Sequence, residues 1–306
     1  WIRMGVAGLR LDAVIWIYQN QTAANVSFLK QWYDRCNSSW KSNGGSGDFY
    51  MVGEAWEETA KMASYYRGLP SLFNFSYWWT VKDRINRGKG DDFASTVLWF
   101  RDQYKRYRSD FSDAIKLSNH DEDRTGSDLG RSTDKMKLAG AVLLSSPGKP
   151  FIYQGEELGY WGVKNNGDEY VRTPIKWTKK GSVPTTALNG KVDNTMLTED
   201  ISVEAQNADG NSVLQVYKKF ARARNEYPAL AAGEMAAVSS NTSAGALWTM
   251  SSSGQTVLVA HNFGYSKISL KAASYKLSEI IVSNGSVSAA DGTIELGPYA
   301  SAIFMQ

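Results

Sequence analysis

Three short segments hold the residues with the greatest chemical reach: Gly8-Leu9-Arg10-Leu11-Asp12, Val52-Gly53-Glu54-Ala55-Trp56 and Ser118-Asn119-His120-Asp121. Arg10 and Asp12, two apart on a strand, project from one face, so a cation that does not titrate stands beside a carboxylate. Taken singly, the segments also fit a structural ion pair, a carboxylate beside a helix N-cap and a simple turn. Taken together, three carboxylates that each follow an apolar run exceed what stability alone requires. The chemistry that needs such a set is cleavage of a glycosidic bond. One carboxylate attacks the anomeric carbon and must stay ionised, which an adjacent guanidinium promotes. A second must hold a proton for the departing oxygen, which burial or a like charge promotes. The two lie roughly 5–5.5 Å apart in a retaining enzyme and roughly 6.5–9.5 Å apart in an inverting one.

Other chemistries find little support. There is no P-loop, no G-x-S-x-G elbow and no zinc spacing, and His120 and His261 are the only histidines. His261 falls in a β-rich stretch and reads as structural. Asp121-Glu122-Asp123-Arg124-Thr125-Gly126 begins like a calcium loop but breaks at Thr125, and its twelfth position is Ser132 rather than Glu, so no metal ligand is assigned. The formal charge of +3 argues against nucleic acid and acidic membrane surfaces as partners. No apolar stretch reaches the length of a membrane span. The N-terminus has neither a charged leader nor an apolar core with a cleavage site, and it starts inside an apolar pattern, which suggests a missing piece. Cys36 alone cannot form an internal disulfide and leaves the compartment open. The 11 Trp residues read mostly as core, with sugar-stacking platforms a minority.

The elements that must position these residues follow one pattern to about residue 230. A short apolar run ends in a polar residue, and a helix-period segment follows. The first run is Val6 to Leu9; after it Val26, Leu29, Tyr33, Cys36 and Trp40 fall on one helix face. Phe49 to Val52, Leu72 to Phe75, Ala114 to Leu117 and Phe151 to Tyr153 read as further strands. Helices are predicted through Phe93 to Tyr107, Met136 to Leu144 and Val213 to Arg224, and Ser42 to Gly47 is a connector. Alternating strands and helices argue for parallel βα units, and polar groups after several strands match the active face of a (β/α)8 barrel. An open doubly wound sheet is the structural alternative, although its ligand would gather at one switch point. After Gly233 helical periodicity ends. Ala246–Met250, Thr256–His261, Lys267–Leu270, Thr293–Leu296 and Ala300–Phe304 then read as a small antiparallel β-sandwich.

In this order, the three segments resemble three of the four signature regions of the α-amylase family of retaining α-glucosidases, glycoside hydrolase family 13. The resemblance continues through Leu72-Phe73-Asn74-Phe75, Gly148 to Glu157 and Arg172-Thr173-Pro174-Ile175-Lys176-Trp177, and it is nearest to the surface neopullulanase-like amylases of bacterial starch-utilisation systems. It implies an α/β fold: a partial (β/α)8 TIM barrel, strands four to eight, over residues 1–230, then an all-β antiparallel sandwich over residues 231–306. It further implies Asp12 as nucleophile, Glu54 as general acid/base and Asp121 as the carboxylate that stabilises the transition state. Arg10 would orient Asp12, His120 would bond the sugar, Asn119 would support it, and Trp56 and Arg172 would line subsites or pack structurally.

The implied reaction is hydrolysis of α-1,4 bonds in starch or maltooligosaccharides by double displacement, in a secreted or surface protein. No cofactor is needed for the chemistry, and most side chains for the family's structural calcium would come from parts of a full-length parent outside this chain. The first signature region and the first three strands are absent, so the chain reads as needing the N-terminal part of the same polypeptide. Ile15-Trp16 stands where the family commonly has Lys-His, a change on the acceptor side. That keeps α-1,6 or pullulan cleavage and transglycosylation open, and the isolated chain as a non-catalytic glucan-binding fragment is the alternative of another class.

Overall fold

A computed structural model describes residues 1–184 and 194–306. Two compact units are present, residues 1–77 with 97–115 and residues 78–96 with 116–306. Strands β1 (Gly8–Leu11), β2 (Tyr50–Gly53), β3 (Ser71–Asn74), β4 (Ser112–Lys116) and β5 (Lys149–Phe151) follow one another in sheet order. The pairings Leu11↔Gly53, Val52↔Ser71 and Leu72↔Asp113 are parallel. This is the expected partial barrel, a half-barrel of five parallel strands. The first strand begins two residues later than the apolar run suggested. Val6 and Ala7 precede it, and Arg10 lies inside it.

In the first unit, α1 (Thr22–Ser42) buries Asn25, Leu29, Tyr33 and Cys36, with Val26 and Trp40 packed against the same core. The short α2 (Thr59–Met62) adds Met62. At Gly8 a Cβ would stand 2.8 Å from the Tyr50 carbonyl oxygen, so only glycine lets β1 approach β2 here. Helix α3 (Phe75–Arg87), whose residues from Trp78 on belong to the second unit, was not expected from periodicity. Its start is marked by Asn74, whose Oδ1 accepts the Tyr77 N–H at 2.9 Å, as an N-cap side chain does. Helix α4 (Phe93–Lys105) follows and ends before Tyr107.

In the second unit come the short α5 (Thr125–Asp128), then α6 (Thr133–Ser145), α7 (Asp168–Val171), α8 (Val203–Ala208), α9 (Val213–Glu226) and α10 (Pro228–Ala232). Every residue of α6 from Met136 to Ser145 is buried. A Cβ at Gly140 would meet the Tyr217 ring at 2.4 Å, so this glycine sets the close packing of α6 on α9.

The C-terminal strands are β6 (Glu234–Val238), β7 (Gly245–Ser252), β8 (Gln255–Asn262), β9 (Ile268–Lys271), β10 (Ile280–Asn284), β11 (Val287–Ala290), β12 (Thr293–Leu296) and β13 (Ser301–Met305). They form antiparallel sheets ordered β10-β13-β8-β7-β6 and β11-β12-β9. Leu247, Leu258 and Phe304 of one sheet share a core with Leu270, Ile294 and Leu296 of the other. Strands β6, β10 and β11 went unread in the sequence. Strand β6 buries only Met235, β10 buries only Val282 and Asn284, and β11 buries no residue. His261 is fully buried and bonded to Ser145 Oγ at 3.0 Å and Ser301 Oγ at 2.7 Å. Burial holds its ring down at about 3, in keeping with a structural role.

Candidate active site

Two clusters of charged side chains sit at strand ends, one in each unit. In the first, Asp12 and Glu54 each stand one residue beyond the paired Leu11 and Gly53. The backbone repeats the closeness: the Glu54 N–H donates to the Leu11 carbonyl at 2.9 Å, and the Val14 N–H donates to the Glu54 carbonyl at 3.0 Å. Arg10 reaches both carboxylates. Its Nη1 donates to Asp12 Oδ1 at 2.5 Å, and its Nη2 donates to Glu54 Oε2. The two acids differ sharply in environment. The Asp12 side chain is 77% exposed, whereas that of Glu54 is 8% exposed. One carboxylate is therefore open to an approaching molecule, and the other is held in a dry wall. Trp56 stacks on Phe75 with centroids 4.9 Å apart and 18° between planes, and it stays partly exposed. A cavity of about 350 Å³ lies beside these strand ends, lined by Ile15 and Trp16 after β1 and by Glu57 and Lys61 after β2.

In the second cluster, Asp121 lies on the turn that follows β4. Its Oδ1 accepts from Lys164 Nζ at 3.2 Å and Arg172 Nη2 at 2.8 Å, and its Oδ2 faces His120 Nε2 at 3.0 Å. Asp168 bridges the same two cations, at 2.5 Å from Lys164 and 2.8 Å from Arg172. Burial pushes the Asp121 carboxyl up, but the Lys164 hydrogen bond, the charges of His120 and Lys164 and the Arg172 bond together hold it below the usual range. Asn119 shapes the turn, its Oδ1 accepting the Asp121 N–H at 2.8 Å.

Of the residues singled out in the sequence, Arg10, Asp12 and Glu54 meet in the first unit, with Trp56 on the Phe75 ring. Asn119, His120, Asp121 and Arg172 meet in the second. Lys164 and Asp168 were missed. The signal for them is charge spacing: Lys164, Asp168 and Arg172 follow each other at intervals of four residues. The turn that began like a calcium loop commits its carboxylates elsewhere. Asp123 Oδ1 accepts the Lys164 N–H at 2.7 Å, and Glu122 pairs with Lys116. Among the described residues, no three His, Cys, Asp or Glu side chains are grouped to hold a metal ion.

Residues 1–233 match the family described as alpha amylase, catalytic domain. The chain belongs to the alpha-amylase family. Residues 246–303 of this alpha-amylase family member also match the alpha-amylase SusG C-terminal domain. It is 45% identical to alpha-amylase SusG of Bacteroides thetaiotaomicron over 99% of the chain and 45% of that protein. It is 33% identical to alpha-amylase 3 of Dictyoglomus thermophilum over 86% of the chain and 51% of that protein. The chain thus spans about half the length of these relatives. Among solved structures, Eubacterium rectale Amy13B superposes over the whole chain and 61% of its own, with TM-score 0.87 at 24% identity. The alpha-amylase from H. orenii does so over 62% of its own chain, with TM-score 0.82 at 24% identity. These two likenesses establish the fold. Among the described residues, no helix is long and apolar enough to cross a membrane.

Proposed function

We propose that this chain carries the catalytic carboxylates of a retaining α-glucan hydrolase that cleaves α-1,4-glucosidic bonds of starch and maltooligosaccharides. The observation that carries the reading is the Arg10 guanidinium shared by an exposed Asp12 and a buried Glu54. Asp12 attacks the anomeric carbon as the bond to the leaving oxygen breaks, and Glu54 gives that oxygen its proton. A glycosyl ester on Asp12 results. Water then attacks the same carbon, Glu54 takes its proton, and Asp12 leaves, so two inversions return the α configuration. Asp121 bonds the sugar hydroxyls and stabilises the oxocarbenium-like transition state. Lys164 and Arg172 keep it ionised, and His120 bonds the sugar in the subsite beside the cleavage point. Asn119 holds the turn, and Trp56 and Arg172 line flanking subsites.

The chemistry needs no cofactor. A structural calcium, if carried, is held by side chains of the longer polypeptide rather than by the Asp121–Asp123 turn. The protein works outside the cell or on its surface, where polymeric starch is found. A second reading, α-1,6 cleavage or glucanosyl transfer, is favoured by one feature: Ile15 and Trp16 make the acceptor-side wall more apolar than a Lys-His pair would. It is in line with matches to a 4-alpha-glucanotransferase of Thermotoga maritima and an oligo-1,6-glucosidase of Halalkalibacterium halodurans. The isolated chain would, on a further reading, bind glucan without cleaving it. Following the first product of maltoheptaose hydrolysis by proton NMR tests the mechanism. The α-anomer is expected, and initial β-anomer overturns double displacement.

A further inference from the structure

The turn that carries Asp121 is tied back to its own strand by a buried ion pair. Lys116 ends β4 with its side chain 3% exposed, and its ammonium donates to Oε2 of Glu122, whose side chain is 10% exposed. The five residues between them include Asn119, His120 and Asp121. Besides the Lys164 and Arg172 bonds to the Asp121 carboxylate, three further ties act on the turn: the Asn119 side chain to the Asp121 N–H, the Asp123 carboxylate to the Lys164 N–H, and the Arg172 Nε to the His120 carbonyl at 3.1 Å. Among these ties, the Lys116–Glu122 pair is the one that reaches a residue of β4.

Stability is a poor reason for such a pair. Desolvating two charges consumes most of their attraction, and an apolar pair of similar volume often does as well or better. A carboxylate that must meet developing charge has a stricter need, since its position has to be held within about 0.5 Å. We propose that Lys116 and Glu122 are positioning residues for Asp121. They pin the turn at Glu122, one residue past the carboxylate, so that Asp121 and His120 meet the sugar in one geometry. The inference rests on the reading of Asp121 as the transition-state-stabilising carboxylate.

The test uses the protein with Lys116→Met and Glu122→Met combined. The double variant is expected to fold with a thermal midpoint close to the parent. On maltoheptaose, kcat should fall about 10- to 100-fold, the scale of a misplacement near 1 Å, while KM changes little. Lys116→Arg, which keeps the charge, should retain most of the kcat. In an Asp121→Asn background the double substitution should cost nothing more. A folded double variant with parental kcat, or a loss that adds fully to that of Asp121→Asn, overturns the proposal. Should the double variant fail to fold, Glu122→Asp is read by the same kcat criterion, since it keeps the charge but draws the carboxylate back by one methylene. An Asp121→Asn enzyme with parental activity would instead sink the assignment of Asp121 itself.

Discussion

Asp12 and Glu54 stand one residue beyond a paired position of neighbouring parallel strands, Leu11 opposite Gly53, and they share the guanidinium of Arg10. Side chains at such strand ends project from the same rim, and a planar fork of donors is the group that can hold two carboxylates at once. The same guanidinium that keeps Asp12 oriented therefore also fixes where Glu54 points.

If Glu54 is the proton donor, Glu54→Gln should lower kcat on maltoheptaose by about 10²- to 10⁴-fold. The loss should shrink on an aryl maltoside whose leaving group needs no proton. Asp12→Asn should be inactive on both substrates. Equal losses for Glu54→Gln on the two substrates would remove it from the acid role.

Arg10→Lys preserves the charge but replaces a fork by a point donor, which can serve one carboxylate well and the other poorly. The kcat/KM should drop about 10- to 100-fold, matching the loss of one charged hydrogen bond of roughly 1.5–3 kcal/mol. Steady-state kinetics with maltoheptaose would measure it, and an unchanged value would show that the bridge is dispensable.

Trp16 is largely exposed and lines the cavity beside Ile15, Glu57 and Lys61. Trp16→Ala should raise KM for maltoheptaose roughly two- to tenfold, the size of an aromatic contact of about 0.5–1.5 kcal/mol, with a smaller effect on kcat. Product-length profiles should shift as well. An unaltered profile would place the acceptor elsewhere.

Glu156 gives the clearest pH signature. Burial pushes its carboxyl up to about 7, outweighing hydrogen bonds from Tyr217, Thr125 and Ser118. The folded value lies above the unfolded 4.5, so the protonated group's contribution is fully present below 4.5 and is lost as pH rises through about 7. Comparing urea midpoints at pH 5 and pH 8, the parent should lose ground to Glu156→Gln at the higher pH. A difference independent of pH would mean that Glu156 is ionised throughout.

How much of this was legible in the chain depended on whether the signal was local. Leu29, Tyr33 and Cys36 recur at helical spacing because one face of α1 must be buried, and that need is written in adjacent turns. Strands β2 and β4 show as apolar runs for the same reason, and the carboxylates after them show as breaks in those runs. Helix α3 was hidden because its buried positions, among them Trp78, Val81 and Ile85, are interleaved with aromatic and charged residues. Strands β6, β10 and β11 were hidden because they bury few residues, one in β6, two in β10 and none in β11.

By itself, the sequence determined which residues are chemically capable, their order, and their placement at the ends of strands, since these follow from residue type and short-range periodicity. Only the tertiary structure decided the partners. Arg10 reaches across to a neighbouring strand at Glu54, Lys164 and Arg172 converge on Asp121 from more than forty residues away, and Lys116 finds Glu122 in a dry pocket. Such choices depend on sheet register and loop closure, which bring distant charges into contact only after the apolar faces have been buried.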